Sequence, residues 1–232
     1  MKIKVSFVLF FISVLSFSQE INQFDENGNR HGIWRKNFEN TKVLRYEGEF
    51  FHGKEVGTFK FYQNLGGKAT LTATRKYQND SDLADVAFYS SIGKVISEGK
   101  MKGKLYVGEW KYYQKNSSQL LNLEHYNNFG KLDGERLVYY ENGQIAQKEN
   151  YKNGELNGVS YWYAEDGILI KEMLYENGEL HGLSKYYSPA GDLIIEGEYK
   201  RAKKHGIWKY YENGKLVDEK NFSPEGKFKK KP

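Results

Sequence analysis

The sequence predicts an all-β protein, with about eight stacked β-hairpin repeats forming one elongated, twisted antiparallel sheet. Three observations predict it. Tyr151, Tyr175 and Tyr199 fall 24 residues apart and Phe222 follows after 23, which is the self-similarity of a repeat array. Turn signals such as "ENG" (141–143, 212–214), "EDG" (165–167) and "PAG" (189–191) break each unit in two, and Asn-Gly or Asp-Gly accepts the positive φ that tight hairpins need. Finally, nothing after residue 18 sustains a helical period.

The elements follow in chain order. Residues 1–18 read as a secretory signal peptide: Lys2 and Lys4 lead an apolar run from Val5 to Phe17, and Ser16 and Ser18 precede a cut before Gln19. The run is short for a membrane span. Residues 19–26 form a lead-in, and the repeat array occupies 27–222. A glycine opens each unit, at Gly32, Gly57, Gly108, Gly134, Gly158, Gly182 and Gly206, with Ala84 in the remaining unit. Because neighbouring strands lie about 4.8 Å apart, sixteen strands would span roughly 75 Å, with no central pocket. Residues 223–232 form a tail whose Lys227, Lys229, Lys230 and Lys231 read as a solvated terminus.

Composition bounds the function. With 19 Tyr, 14 Phe and 4 Trp the chain is too aromatic to be disordered, although it is polar overall. It has 0 Cys, hence no disulfide framework, lipid-attachment cysteine or thiolate chemistry. Its net charge is +5 and its body is nearly neutral once the signal peptide and lysine tail are set aside, so no nucleic-acid footprint is expected.

Two aromatic columns run through the repeats. Five residues after the opening position stand Tyr62, Tyr89, Tyr113, Tyr139, Tyr163, Tyr187 and Tyr211. Adjacent strand residues point to opposite faces, so residues four and two after that position share the other face. The uniform tyrosine column reads as structural. The varied face is the candidate binding surface: Phe59, Phe61, Trp110, Tyr112, Trp162, Tyr186, Trp208 and Tyr210 are of the types that build hot spots and sugar platforms.

The pattern of an opening Gly, an aromatic-Tyr doublet, a turn Gly and a 24-residue period resembles the MORN repeat, most of all the bacterial YwqK-type variant associated with antitoxins. The resemblance spans nearly all of the chain after the signal peptide, with the best copies at 127–222. It implies stacked hairpins and association with proteins or membrane surfaces, and no enzyme activity.

No catalytic, cofactor or metal site is expected. His31, His181 and His205 recur before the opening Gly, but equivalent positions lie about 9.6 Å apart, too far to share a metal bound at about 2.1 Å. They read as turn residues. Glu98, Glu172 and Glu196 read as a solvated strand face. In "DENGN" (25–29), Asp25, Asn27 and Asn29 mimic a calcium loop, yet Arg30 and Lys36 occupy the positions that need Gly and Glu. Two stretches depart from the repeat and are candidate binding loops: 64–83 and "QKNSSQLLNL" (114–123). The expected function is an exported, non-catalytic protein-binding scaffold. The alternatives are an envelope carbohydrate-binding module and an immunity or antitoxin-like protein against a secreted toxin. Partners are a protein, an envelope glycan or a membrane surface, and not nucleic acid.

Overall fold

A computed structural model describes residues 20–77 and 81–223. Residues 1–19, which hold the expected signal peptide, residues 78–80 of the first departing stretch and the basic tail after Ser223 lie outside the described residues. Within them the chain is an open, 18-stranded antiparallel sheet without helices, running from Gln23–Phe24 to Lys215–Asn221. Each ladder joins strands that follow one another in the chain, except that Ile145–Lys152 pairs with both Glu155–Leu156 and Gly158–Tyr163, so the sheet is a meander of hairpins.

Two kinds of turn alternate along the sheet. In "YENGQ", the Gly143 N–H donates to the Tyr140 carbonyl and the Tyr140 N–H to the Gln144 carbonyl. Gly143 takes φ +85°, the left-handed residue that closes a type I turn with a bulge. On the opposite rim, Asn153-Gly154 and Asn177-Gly178 both have positive φ, the requirement of a two-residue type I′ turn. The "ENG" at 212–214 belongs to this second kind, with Glu212 opposite Lys215. Its unit is one residue shorter, and that single residue switches the turn.

The opening glycines have a backbone cause. Gly108 and Gly206 take φ +67° and +64° where the ladder slips between Gly99 and Lys100 and between Glu196 and Glu198. Such bulges need a residue in the left-handed region, which glycine enters without steric penalty. At Ala84 the ladder from Tyr77–Ala84 to Ala73–Phe88 runs without a slip. With no bulge there, a residue with a Cβ fits.

A single sheet has no second layer, so each hairpin buries rings against its own neighbour. Phe59, Trp110 and Trp208 lie flat over Gly48, Gly99 and Gly197 of the preceding strand, where any Cβ would overlap the ring. Flanking aromatics close the sides: Tyr106 stacks on Trp110 at 3.9 Å, and Tyr199 meets Trp208 edge-on at 5.0 Å. The indole N–H groups of Trp110 and Trp208 donate to the carbonyls of Lys100 and Glu198, at 2.9 and 3.1 Å, beside the slipped ladder. The first unit is closed by the lead-in, where Phe24 meets Trp34 edge-on and the Gln23 carbonyl accepts from its indole at 3.0 Å.

The same position is filled differently elsewhere. Met173 lies between Ser160 and Ser184, both completely buried. A large side chain thus occupies the glycine seat and serine replaces the ring, which conserves volume. Because a ring needs an empty seat, Gly99→Ala should lower stability by about 2–3 kcal/mol through overpacking. Urea unfolding of parent and variant checks this, and an unchanged midpoint would refute the seat.

Candidate functional site

The sheet presents two chemically distinct faces. On the tyrosine face, the Tyr and Glu columns meet. Tyr62 donates to Glu47 at 2.9 Å, Tyr113 to Glu98 at 2.6 Å, Tyr187 to Glu172 at 3.5 Å and Tyr211 to Glu196 at 2.7 Å. Glu98, Glu172 and Glu196 are therefore hydrogen-bond acceptors in a cross-strand ladder, which corrects their reading as solvated residues. The signal was present in the sequence as a constant Glu-to-Tyr spacing of fifteen residues. Burial first, and then the partner carboxylate, pushes the Tyr62 and Tyr113 phenols up to about 12.

The ring face holds the predicted binding residues, and it divides them. Phe59, Trp110 and Trp208 are 1%, 0% and 1% exposed, so their place is the core. They have no surface to offer a ligand, and the reading of all eight residues as one exposed platform is corrected at these three. Phe61, Tyr112, Trp162, Tyr186 and Tyr210 are half-buried. Cross-strand pairing sets them in one row with smaller or polar residues between: Trp162 faces Lys171, Lys171 faces Tyr186, Tyr186 faces Ile195 and Ile195 faces Tyr210. Lys171 reaches over the Trp162 ring at 4.1 Å, and Lys220 lies 5.1 Å from the Tyr210 ring. The row combines accessible ring surface with cations and runs across the array.

Halfway along, the ring column gives way to charge. Arg136 lies between Glu124 and Glu149, donating at 3.1 and 2.8 Å. Both carboxylates are buried, and Tyr126 and Tyr151 donate to them at 2.7 and 3.2 Å. Burial works against the Arg136 charge, but the two glutamates outweigh it and raise its affinity for the proton. This cluster spans a junction at which the ladder aligns only Leu137 with Leu123 and Val138 with Asn122. The period places Arg136 in the column of Phe59, Trp110 and Trp208, but it does not show that glutamates of both neighbouring strands meet it there.

The remaining candidates sit at loops. Asp25 accepts from the backbone N–H groups of Asn27 and Asn29 and pairs with His52 Nδ1 at 2.7 Å. The His52 contact, followed by the Asn29 and Asn27 hydrogen bonds, holds its carboxyl down to about 2. Asp25 thus organises its own turn. Each departing stretch borders a cleft. One of about 660 Å³ lies beneath Asn116–Ser118, and one of about 700 Å³ lies between Phe51, Tyr77 and Lys104.

The sequence model of the MORN repeat variant family matches residues 132–153, 156–177, 180–201 and 204–223. Each matched segment begins two residues before an opening glycine, so the family unit coincides with the hairpin unit seen here. No curated protein matches the chain.

The charges make two measurable differences. A phenol that ionises later in the fold than in the unfolded chain stabilises the fold fully below pH 10. That contribution is lost as pH climbs toward about 12. The urea midpoint should therefore fall between pH 10 and 12, with tyrosinate absorbance rising together with unfolding; early ionisation without unfolding would refute the ladder. Removing Arg136 leaves two buried carboxylates unpaired, so Arg136→Ala should cost about 3 kcal/mol. Adding Glu124→Gln and Glu149→Gln should recover most of the loss in urea unfolding.

Proposed function

Because four consecutive segments within residues 132–223 match the MORN repeat variant family, we propose that the chain is an exported, non-catalytic scaffold that holds a protein partner along the half-buried aromatic row of its ring face. One observation carries the reading. Phe61, Tyr112, Trp162, Tyr186 and Tyr210 stand in a row whose rings are partly open, while the larger column beside them is closed in the core.

The physics suits a protein segment laid across the strands. Partly exposed aromatics on a rigid backbone bury large apolar area on contact and lose little side-chain entropy, which is why Trp and Tyr dominate binding hot spots. Lysines within the row add a charged component that selects acidic or carbonyl-rich sequence. Export rests on the sequence of residues 1–18. The absence of cysteine is compatible with that route, since backbone pairing and ring seats stabilise the array without disulfides.

The discriminating variants must leave the core intact. Trp110→Ala and Trp208→Ala would remove buried rings and test folding instead. Trp162→Ala combined with Tyr186→Ala removes only half-buried surface. A crosslinked pull-down with residues 19–232 from whole envelope should recover one dominant protein, and this double variant should recover about tenfold less at an unchanged thermal midpoint. Equal recovery by the variant would overturn the reading, as would recovery that disappears on glycan digestion.

A further inference from the structure

The cleft beneath the second departing loop has a chemistry of its own. In regular units a five-residue turn with a left-handed glycine joins the strands, as at 140–144. Here "QKNSSQ" replaces it. The Gln114 N–H reaches the Gln119 carbonyl at 2.8 Å, and Asn116 takes the left-handed conformation at φ +59°. The longer loop leans on the neighbouring turn, where the Lys94 ammonium donates to the Asn116 carbonyl at 2.5 Å. Between them opens a cavity of about 660 Å³ on the tyrosine face. That volume is in the range of small-molecule sites.

Its lining is balanced in charge and mixed in polarity. Lys94 and Glu98 contribute one charge of each sign, and Val95 and Tyr113 contribute apolar surface. Tyr113 occupies one oxygen of Glu98 at 2.6 Å, leaving the other without a protein donor among the described residues. The Asn116 amide and the Ser118 hydroxyl also have no hydrogen-bond partner there, while the Ser117 hydroxyl accepts the Gln119 N–H. Donors and acceptors thus face the cavity in comparable supply above an apolar floor.

Such a lining excludes most ligand classes. An anion would meet Glu98 and a cation would meet Lys94. An apolar ligand would strip water from the amide, hydroxyl and carboxylate without replacing their hydrogen bonds. A ligand with hydroxyls in several directions and C–H faces between them satisfies every group. The geometry points to a neutral saccharide site here, formed by Glu98, Tyr113, Asn116 and Ser118. It is separate from the aromatic row of the ring face, and it does not depend on the protein-partner reading.

Isothermal titration of the purified chain with linear neutral oligomers of glucose, mannose, galactose and N-acetylglucosamine tests the site. One of these should bind saturably at a single site, with little dependence on salt. Asn116→Ala with Ser118→Ala should weaken it about tenfold, Glu98→Gln should weaken it as well, and Trp162→Ala with Tyr186→Ala should leave it unchanged. Thermal melting verifies that each variant is folded. The inference is overturned if no neutral oligomer binds saturably, or if binding ignores the Asn116 and Ser118 changes. Tighter binding of an acidic peptide or a sulfated oligosaccharide at this cleft would overturn it too.

Discussion

A ring lying flat on a glycine of the preceding strand is the contact on which this sheet depends. A single-layer sheet cannot bury a face against helices or a second sheet, and an isolated hairpin is marginal in water. Seating Phe59, Trp110 and Trp208 on Gly48, Gly99 and Gly197 solves this between neighbouring hairpins. The ring replaces the missing side chain, its indole satisfies a carbonyl beside the bulge where Trp is used, and edge-on aromatics seal the sides. Stability then accumulates unit by unit through nearest-neighbour contacts, as in other repeat arrays.

The seat also explains why the column varies without weakening the array. What each unit requires is a constant volume shared between two facing positions. Glycine with Trp satisfies it, and so does Met173 with Ser184. At the middle of the chain the pair becomes Glu124 and Arg136, with Glu149 on the other side. There, directional charge-assisted bonds replace the seated ring, at a junction whose ladder aligns two residue pairs. The buried Ser160 and Ser184 hydroxyls, which lack partners, mark where the exchange is imperfect.

Division of labour between faces follows from the same constraint. With Phe59, Trp110 and Trp208 committed to seats, the open aromatic surface on that face belongs to half-buried rings such as Trp162, Tyr186 and Tyr210. The tyrosine face is held by phenol–carboxylate bonds, which keep it polar, and a cavity opens on it beneath the Asn116–Ser118 loop. Repetition supplies the scaffold, and the departures from it supply individual sites.

By itself the sequence determined the class, the period and the turns. The 24-residue spacing, the Asn-Gly pairs and the strand alternation are local properties, legible without knowing which strands meet. It also placed Phe59 and Phe61 on one face and Tyr62 on the other. Only the tertiary structure decided which aromatics are buried. Trp110 and Trp162 look equivalent as residues, but Trp110 finds a glycine beneath it and Trp162, two positions further from its opening glycine, does not. The identical "ENG" at 141–143 and 212–214 makes two different turns, because the one-residue shorter unit changes which residues pair across the ladder. Burial, hydrogen-bond partner and register are relations between strands, and the positions within one unit do not contain them.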